Sequence, residues 1–309
     1  MAEAALRPGR RVLRESDRTQ AESIATRHKA ELSDVDVVVA DGSNLRGWLL
    51  RPSQGNSDFV MLLHGLSDNR MGMIGYAETF VNRGYGVLMA DARAHGASDG
   101  VLASNGLMER EDIQRWAEWL RAKEHPRCIY GFGESMGAAQ LLQSLSAEGE
   151  FCAVVAESSF STFREIAYDR VGQAFHAGPW VGRWALRPLV EIAFGYAKWK
   201  YRLDFEQASP DRAIAASHVP VLLIHGEEDS NIPVRHSRKI AVADPSVTLW
   251  VVPGADHCGA ISVVPEEFQN RVVGWFMEHG VSGRGVKGDD GGGRSSFRSH
   301  LNVESYASR

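Results

Sequence analysis

The chain has 309 residues, 44% hydrophobic and 24% charged, which excludes a disordered protein, a fibrous repeat and a disulfide-stapled mini-domain. Its 34 Lys and Arg against 39 Asp and Glu give a net charge of −5, and no basic stripe indicates nucleic-acid binding. No segment has the roughly 20 continuous apolar residues of a membrane span, and no signal-peptide-like run begins the chain. We therefore expect a cytoplasmic protein, although a chain trimmed of an export segment would look the same.

The amino-terminal part is predicted to be an arm followed by a hairpin. Residues 1–34 have only a weak helical pattern, over residues 21–30, and no strong apolar face. Residues 35–39 and 45–50 are predicted strands, and the Asp41-Gly42 dipeptide between them favours a tight hairpin turn.

Beyond this hairpin the pattern changes to short, nearly continuous apolar runs that alternate with helical periodicity. The helical pattern is clearest at Ile113, Trp116, Ala117 and Leu120. Strands buried on both faces produce such runs, so the alternation predicts a mainly parallel α/β sheet with helices on both faces. The predicted strands are residues 59–63, 86–90, 128–130, 152–156, 221–224 and 247–252.

Two segments depart from the alternation. Residues 160–205 contain 11 aromatic residues in 46 and no strand-like run, which predicts a helical cap inserted at one end of the sheet. Residues 35–159 and 206–279 then form the core. Seven of the first 14 residues of the segment 280–309 are glycines, which predicts a flexible tail.

The strongest local signal is Gly131-Phe-Gly-Glu-Ser135-Met-Gly137, placed between a predicted buried strand and a helical pattern. Glycines on both sides of the serine allow a tight strand-to-helix turn, which projects the Ser135 hydroxyl above the sheet. A serine needs an adjacent base to act as a nucleophile, and that base needs a carboxylate to hold it. We therefore predict that Ser135 is a nucleophile.

Asp229 and His257 complete the predicted triad. Each lies in a loop just after a predicted strand, and they follow Ser135 in the order nucleophile, acid, base. Glu227 and Glu228 are alternative acids, but we interpret them as solvated turn residues. Asp256 is interpreted as a turn former, and two other histidines are predicted to make structural hydrogen bonds at strand ends, His64 and His225.

Attack on a carbonyl places negative charge on oxygen, so backbone N–H donors must already point at that position. The first predicted donor is Met136, the residue after the nucleophile. The second is expected in the loop at residues 64–69, where Leu66 is preferred and Ser67 is the alternative.

The three cysteines, Cys128, Cys152 and Cys258, are odd in number and fit no zinc spacing. This favours a reducing compartment, with Cys128 and Cys152 unpaired in the core. Cys258 adjoins His257 and is interpreted as a small residue filling its loop, with an oxidation-sensitive neighbour of the base as the alternative.

With these residues placed, the chain resembles the α/β-hydrolase-fold serine hydrolases, most closely the bacterial esterases and S9 peptidase-like members with a helical cap. The likeness covers about residues 35–278. It includes His64-Gly65 and the segment at residues 91–98, which resembles a family motif apart from Ala94 and Ala97 and is usually structural. Ser135 stands where related dehalogenases and epoxide hydrolases carry aspartate, which argues against both activities.

We therefore expect an esterase that forms an acyl-enzyme, acts on small-molecule esters and needs no metal or cofactor. The alternatives are a prolyl-oligopeptidase-type peptidase or amidase, an acyltransferase, or a non-catalytic receptor. About 35 amino-terminal residues are too few for a propeller domain of the kind such peptidases carry. The oligomeric state is not predicted. The aromatic residues expected to form the substrate pocket are Phe163, Phe175, Trp180, Trp184 and Trp199.

Overall fold

A computed structural model describes residues 6–145, 150–176 and 179–280, and only the backbone of residues 179, 180 and 182. Apart from Gly280, the predicted tail at 280–309 lies outside the described residues. Eight strands form one sheet in the order β1-β2-β4-β3-β5-β6-β7-β8. The strands are β1 (Ala30–Val38), β2 (Asn44–Pro52), β3 (Phe59–Leu63), β4 (Gly86–Ala90), β5 (Ile129–Glu134), β6 (Ala153–Glu157), β7 (Val221–Gly226) and β8 (Thr248–Val252).

The helices of the described residues lie mainly between these strands. They are α1 (Glu15–Arg27), α2 (Ile74–Val81), α3 (Glu109–Glu124), α4 (Met136–Ser144), α5 (Phe163–Ala174), α6 (Pro179–Trp184), α7 (Arg187–Tyr201), α8 (Pro210–Ala215), α9 (Arg235–Ala243), α10 (Ala260–Val263) and α11 (Pro265–His279). Within the ranges given above, none of them has the length and apolar character needed to cross a membrane.

The predicted α/β-hydrolase sheet is confirmed. Strands β3 to β8 pair in parallel, and β1 and β2 form an antiparallel hairpin at one edge, with Gly42 at a positive φ of 85° in its turn. Every residue of β3, β4, β6 and β7 is buried, because helices cover both faces of the sheet.

The amino-terminal segment is more ordered than the predicted arm. Strand β1 begins at Ala30, and α1 precedes it with one buried stripe formed by Ala21, Ile24 and Ala25. These small apolar residues pack the helix on the sheet, although most of its other positions are polar. Leu6 is buried as well, in a cluster with cap residues such as Ala197 and Phe205.

The cysteine prediction is wrong about pairing. Cys128 and Cys152 form a disulfide with their Cα atoms 5.7 Å apart, and Cys258 is the free cysteine of the described residues. The two half-cystines lie just before the neighbouring strands β5 and β6, where the Cys152 N–H donates to Ile129 O. A sequence separation of 24 residues carries no sign of that adjacency, and the disulfide removes the cysteine argument for a reducing compartment.

The carboxyl ends of the parallel strands all lie at the same end of the sheet, and the candidate site forms there. β3 ends at Leu63 before the loop that carries Leu66, and β5 ends at Glu134 before Ser135. β7 ends at Gly226 before the loop that carries Asp229, and β8 ends at Val252 before the loop that carries His257. Chain segments far apart in sequence therefore meet at this end of the sheet.

Candidate active site

Ser135 occupies the turn between β5 and α4 in a strained conformation, with φ 52° and ψ −115°. The backbone holds it on both sides: its N–H donates to Glu157 O at 2.8 Å, and its carbonyl accepts the Ala139 N–H at 3.1 Å. The turn presents the side chain at the amino-terminal end of α4, where helix amides favour negative charge.

The glycines flanking Ser135 are required because backbone approaches them closely. A Cβ at Gly133 would lie 2.7 Å from the backbone of Gly137, and a Cβ at Gly137 would lie 2.3 Å from Leu63 O. Neither contact is possible for a real side chain: the first would move α4 away from β5, and the second would move it away from β3. Because Gly133 and Gly137 have no side chains, the turn can close, and this sets the height of Ser135 above the sheet.

The structure brings the three predicted triad side chains together. His257 Nε2 lies 2.9 Å from Ser135 Oγ, and His257 Nδ1 donates to Asp229 Oδ2 at 2.8 Å. The two loops can approach because Gly226 has no side chain; a Cβ there would lie 2.3 Å from Ala255 O. The arrangement is a continuous hydrogen-bond relay from a hydroxyl through an imidazole to a carboxylate.

Asp229 is held as a carboxylate. Burial would raise the pKa of Asp229, but hydrogen bonds from His225, His257 and the Ile232 N–H outweigh burial and hold that pKa well below its ordinary value. Oδ1 accepts the N–H groups of Asn231 at 2.9 Å and Ile232 at 2.7 Å. The carboxylate is therefore fixed in position and charged over the whole neutral range.

The competing acids lie outside the relay. Glu227 and Glu228 are exposed, whereas Asp229 is buried. Asp256 accepts hydrogen bonds from the N–H and hydroxyl of Ser230 in the neighbouring loop, and its carbonyl accepts the Gly259 N–H at 3.0 Å, as in a turn.

Two histidines make the predicted structural hydrogen bonds. His64 Nδ1 donates to Gly65 O at 2.8 Å, and its Nε2 accepts the Ala92 N–H at 3.1 Å. His225 Nε2 donates to Ile232 O at 2.7 Å. His225 Nδ1 lies 2.6 Å from Ser237 Oγ, and its Nε2 also lies 3.3 Å from Asp229 Oδ2, so this buried ring helps to hold the relay carboxylate.

Leu66 and Met136, the two predicted backbone donors, both line the cavity that contains Ser135. Within the described residues, neither N–H has a hydrogen-bond acceptor in the protein. The loop that carries Leu66 is anchored at its end, where Asp91 accepts hydrogen bonds from the Arg70 N–H and from the Arg70 guanidinium, each at 2.7 Å. The segment at residues 91–98 therefore supports the loop from beneath, as its resemblance implied.

A cavity of about 700 Å³ opens at Ser135, within the range of small-molecule sites. Its walls are mainly apolar and come from the cap helices α5 and α7, with contributions from Leu6 and Ile232. Phe163 lies in this wall and contacts Phe205 and Phe194, with ring centroids 4.7 Å and 5.8 Å apart. The cap is therefore held by an aromatic cluster that also shapes the cavity.

The remaining aromatic residues predicted for the pocket are placed differently. Phe175, Trp184 and Trp199 are 57%, 74% and 78% exposed and do not line the cavity. The lining residues of α7 end at Ala197, and Trp199 lies beyond them near the end of the helix, with its ring centroid 6.2 Å from that of Tyr196. The side chain of Trp180 lies outside the described residues.

Two glutamates beside Ser135 were not singled out from the sequence: Glu157 is buried and Glu134 is half-buried. Glu134 and Glu157 are register partners at the ends of β5 and β6, and the Tyr76 hydroxyl donates to Glu157 Oε2 at 3.3 Å. Glu157 Oε1 accepts the Ala260 N–H at 3.1 Å, just after the His257 loop. A charged residue closing each of two apolar strands was the signal that could have identified them.

Both carboxyls are harder to ionise than usual. Burial and the charge of the nearby Glu134 together raise the pKa of Glu157 to about 8, against the Ala260 hydrogen bond. Burial and the charge of Asp68 raise the pKa of Glu134 to about 7, against hydrogen bonds from Tyr76 and the Gly65 N–H. The pair therefore holds protons in the folded protein that the unfolded chain releases.

From the raised pKa values of Glu134 and Glu157 we predict that the free energy of unfolding falls as the pH rises. The folded pKa values of about 7 and 8 lie above the ordinary 4.5, so the contribution is complete below pH 4.5 and is lost as the pH passes through 7 and 8. We expect the loss to be on the order of a few kcal/mol in the free energy of unfolding. The double variant Glu134→Gln, Glu157→Gln should remove most of it. Denaturant unfolding at pH 5, 7 and 9 measures the slope.

The control for this prediction is Glu278→Gln, which changes an exposed glutamate on α11. Its stability should follow the wild-type pH dependence. A double variant that also keeps the wild-type slope between pH 5 and 9 would contradict the assignment to the glutamate pair.

Cys258 does not have the setting of a reactive thiol. Burial raises its pKa well above the ordinary value, and the carboxylates of Glu134, Glu157 and Asp229 raise it further. The Cys258 N–H donates to Ser158 Oγ at 3.2 Å, which fixes the loop beside His257. The contacts favour the interpretation of Cys258 as a small residue that fills its loop.

Comparison with known families supports the same fold. The alpha/beta hydrolase family profile matches residues 60–269. The uncharacterized protein YqkD of Bacillus subtilis is 28% identical over 207 residues, which cover 65% of this chain and 64% of that protein. The match thus spans slightly less than two thirds of the Bacillus protein's own length.

Solved structures give two further likenesses. The Pyrococcus furiosus esterase Pf2001 superposes with a TM-score of 0.68 at 25% identity, over 88% of this chain and 99% of that one. A puromycin-hydrolyzing peptidase of Mycobacterium tuberculosis superposes with a TM-score of 0.61 at 18% identity, over 80% of this chain and 40% of that one. The second likeness, at this identity, shows the fold alone.

Proposed function

Because the chain belongs to the alpha/beta hydrolase family, we propose that it is a serine hydrolase that cleaves carboxylic esters through an acyl-enzyme. The observation that carries this proposal is the relay itself, with 2.9 Å between Ser135 Oγ and His257 Nε2 and 2.8 Å between His257 Nδ1 and Asp229 Oδ2. The name of the similar Pyrococcus esterase supports the choice of ester.

In the proposed mechanism, Ser135 Oγ attacks the ester carbonyl while His257 Nε2 takes its proton. The N–H groups of Leu66 and Met136 bind the oxyanion, and each supplies about 3–4 kcal/mol of transition-state stabilisation. His257 then gives the proton to the leaving alcohol, and the C–O bond to that alcohol breaks. Asp229 holds the imidazole tautomer and stabilises the imidazolium. Water repeats the attack on the acyl-enzyme and releases the acid.

The cavity supports an apolar acyl or alcohol group as the main part of the substrate. Leu66, Phe163, Ile166 and Phe194 give it apolar walls next to Ser135. Burying one methylene contributes about 0.8 kcal/mol, so kcat/KM should rise by up to about fourfold per added CH2 until the cavity is filled.

A series of p-nitrophenyl esters from acetyl to palmitoyl, with a peptide p-nitroanilide, tests the proposal. We expect kcat/KM for the esters to rise with chain length to a maximum and to exceed that for the anilide. Faster turnover of the anilide would favour a peptidase instead. Transfer of the acyl group to an added alcohol in preference to water would favour an acyltransferase, and no turnover of any compound would contradict an enzymatic role.

A further inference from the structure

One cation lies in the mainly apolar wall of the Ser135 cavity. Arg170 on α5 is the charged member of the lining residues, and the residues of the same helix that share the wall include Ile166, Ala167 and Ala174. These residues lie three or four positions away, so the helix presents Arg170 on its cavity side. The side chain is exposed at this position, so a bound substrate could reach it.

Arg170 forms no ion pair with any described residue. Its Nη1 donates to the neutral Gln173 Oε1 at 3.2 Å, which leaves most of the guanidinium donors for other groups. The adjacent Asp169 is already engaged, because it pairs with Arg235 and with His236 Nε2. Other cap arginines do have carboxylate partners: Arg164 pairs with Glu191 and Glu206.

The position of Arg170 is fixed relative to the relay. Gln173, one turn further along α5, donates to Ser230 O at 3.0 Å and to Asn231 O at 3.2 Å, in the loop that holds Asp229. Apolar surroundings lower the pKa of Arg170 through desolvation, against the attraction of the Asp229 and Asp169 carboxylates. Arg170 is exposed on one side and contacts the apolar wall on the other, so an anion bound against that wall would interact with it more strongly than in open water.

We propose that Arg170 binds an anionic group of the substrate, so that the preferred substrates are apolar esters carrying a carboxylate away from the scissile bond. A guanidinium binds a carboxylate through two parallel hydrogen bonds, which adds orientation to attraction. The apolar wall would take the chain between the ester and the carboxylate. This inference rests on the proposed ester hydrolysis.

Matched ester pairs test the proposal and locate the anion. In the acyl arm, mono-p-nitrophenyl adipate, suberate and sebacate are compared with the corresponding ω-carboxamides. In the alcohol arm, 4-(butanoyloxy)benzoate is compared with its carboxamide. In the arm whose carboxylate reaches Arg170, the wild-type kcat/KM should be about tenfold higher for the carboxylate than for the carboxamide, as expected for a hydrogen bond between charged groups.

The substitution Arg170→Gln should remove that preference through KM, while kcat and the turnover of the carboxamides stay within about twofold of wild type. Arg170→Lys should keep part of the preference, because it keeps the charge and loses the paired geometry. The control Arg238→Gln changes an exposed arginine on α9 outside the cavity wall and should leave the preference intact.

Two results would overturn the proposal: equal rates for carboxylate and carboxamide in both arms of the wild type, or a preference that survives in Arg170→Gln. An equal loss for charged and neutral esters in Arg170→Gln would also contradict it, because that pattern indicates damage to the cap. If neutral esters are hydrolysed without any carboxylate preference, only this inference fails. If the wild type hydrolyses no ester, the proposed function fails as well.

Discussion

Ser135→Ala is expected to lower kcat for p-nitrophenyl butyrate by at least about 10⁴-fold, which in practice abolishes turnover. The reason is chemical, because alanine has no hydroxyl that can attack the carbonyl or pass a proton to His257. The two oxyanion donors are backbone groups and remain in place, so any residual rate comes from them and from binding. The measurement is steady-state turnover, with labelling by a fluorophosphonate probe as a second readout.

The thermal melt of Ser135→Ala should stay near that of the wild type, since the hydrogen bonds that hold the turn use the backbone of residue 135. Labelling by the fluorophosphonate should disappear. Ser53→Ala, which changes an exposed serine after β2, should keep both turnover and labelling. Retained turnover in a folded Ser135→Ala protein would remove Ser135 from the proposed mechanism.

Asp229→Asn should lower kcat by about 10⁴-fold with little change in the fold. Oδ1 of Asp229 accepts the N–H groups of Asn231 and Ile232, so an asparagine would keep its oxygen there and direct its NH₂ group to His257 Nδ1. That contact favours the imidazole tautomer with hydrogen on Nε2. This tautomer cannot accept the Ser135 proton, so the base is lost although the ring stays in place.

Glu228→Gln is the matched control for Asp229→Asn, because it makes the same chemical change at the exposed neighbouring position. Its kcat should remain within about twofold of wild type, as for a surface change away from the site. A large loss of kcat in Glu228→Gln together with a small loss in Asp229→Asn would show that the acid is Glu228 and not Asp229. Both variants need a wild-type-like melt for the comparison to hold.

Local sequence carried much of the information about the fold and the candidate site. In the sequence, buried strands are visible as apolar runs such as residues 59–63 and 221–224. The strand-to-helix turn at Ser135 is visible as flanking glycines, which are needed because backbone atoms approach them closely. Parallel strands end at one edge, so loops that follow them share a site. This is why Asp229 and His257 could be placed beside Ser135 before any distance was known.

Side-chain packing between distant segments was decided only by the tertiary structure. The Cys128–Cys152 disulfide depends on β5 and β6 being neighbours, and the glutamate pair depends on their register. Which cap aromatics line the cavity depends on how α5 and α7 rotate onto the core, so Phe163 lies in its wall and Trp199 is exposed.

By itself, then, the sequence determined the α/β fold and the strained turn, because both follow from local periodicity and backbone requirements. It also determined the order of the three relay residues, because each of them follows directly after a predicted strand. The tertiary structure decided the disulfide, the raised pKa values of Glu134 and Glu157, and the cation in the cavity wall. Those features depend on distances between segments that no local pattern records, since burial, charge pairing and desolvation arise only after helices and strands have packed.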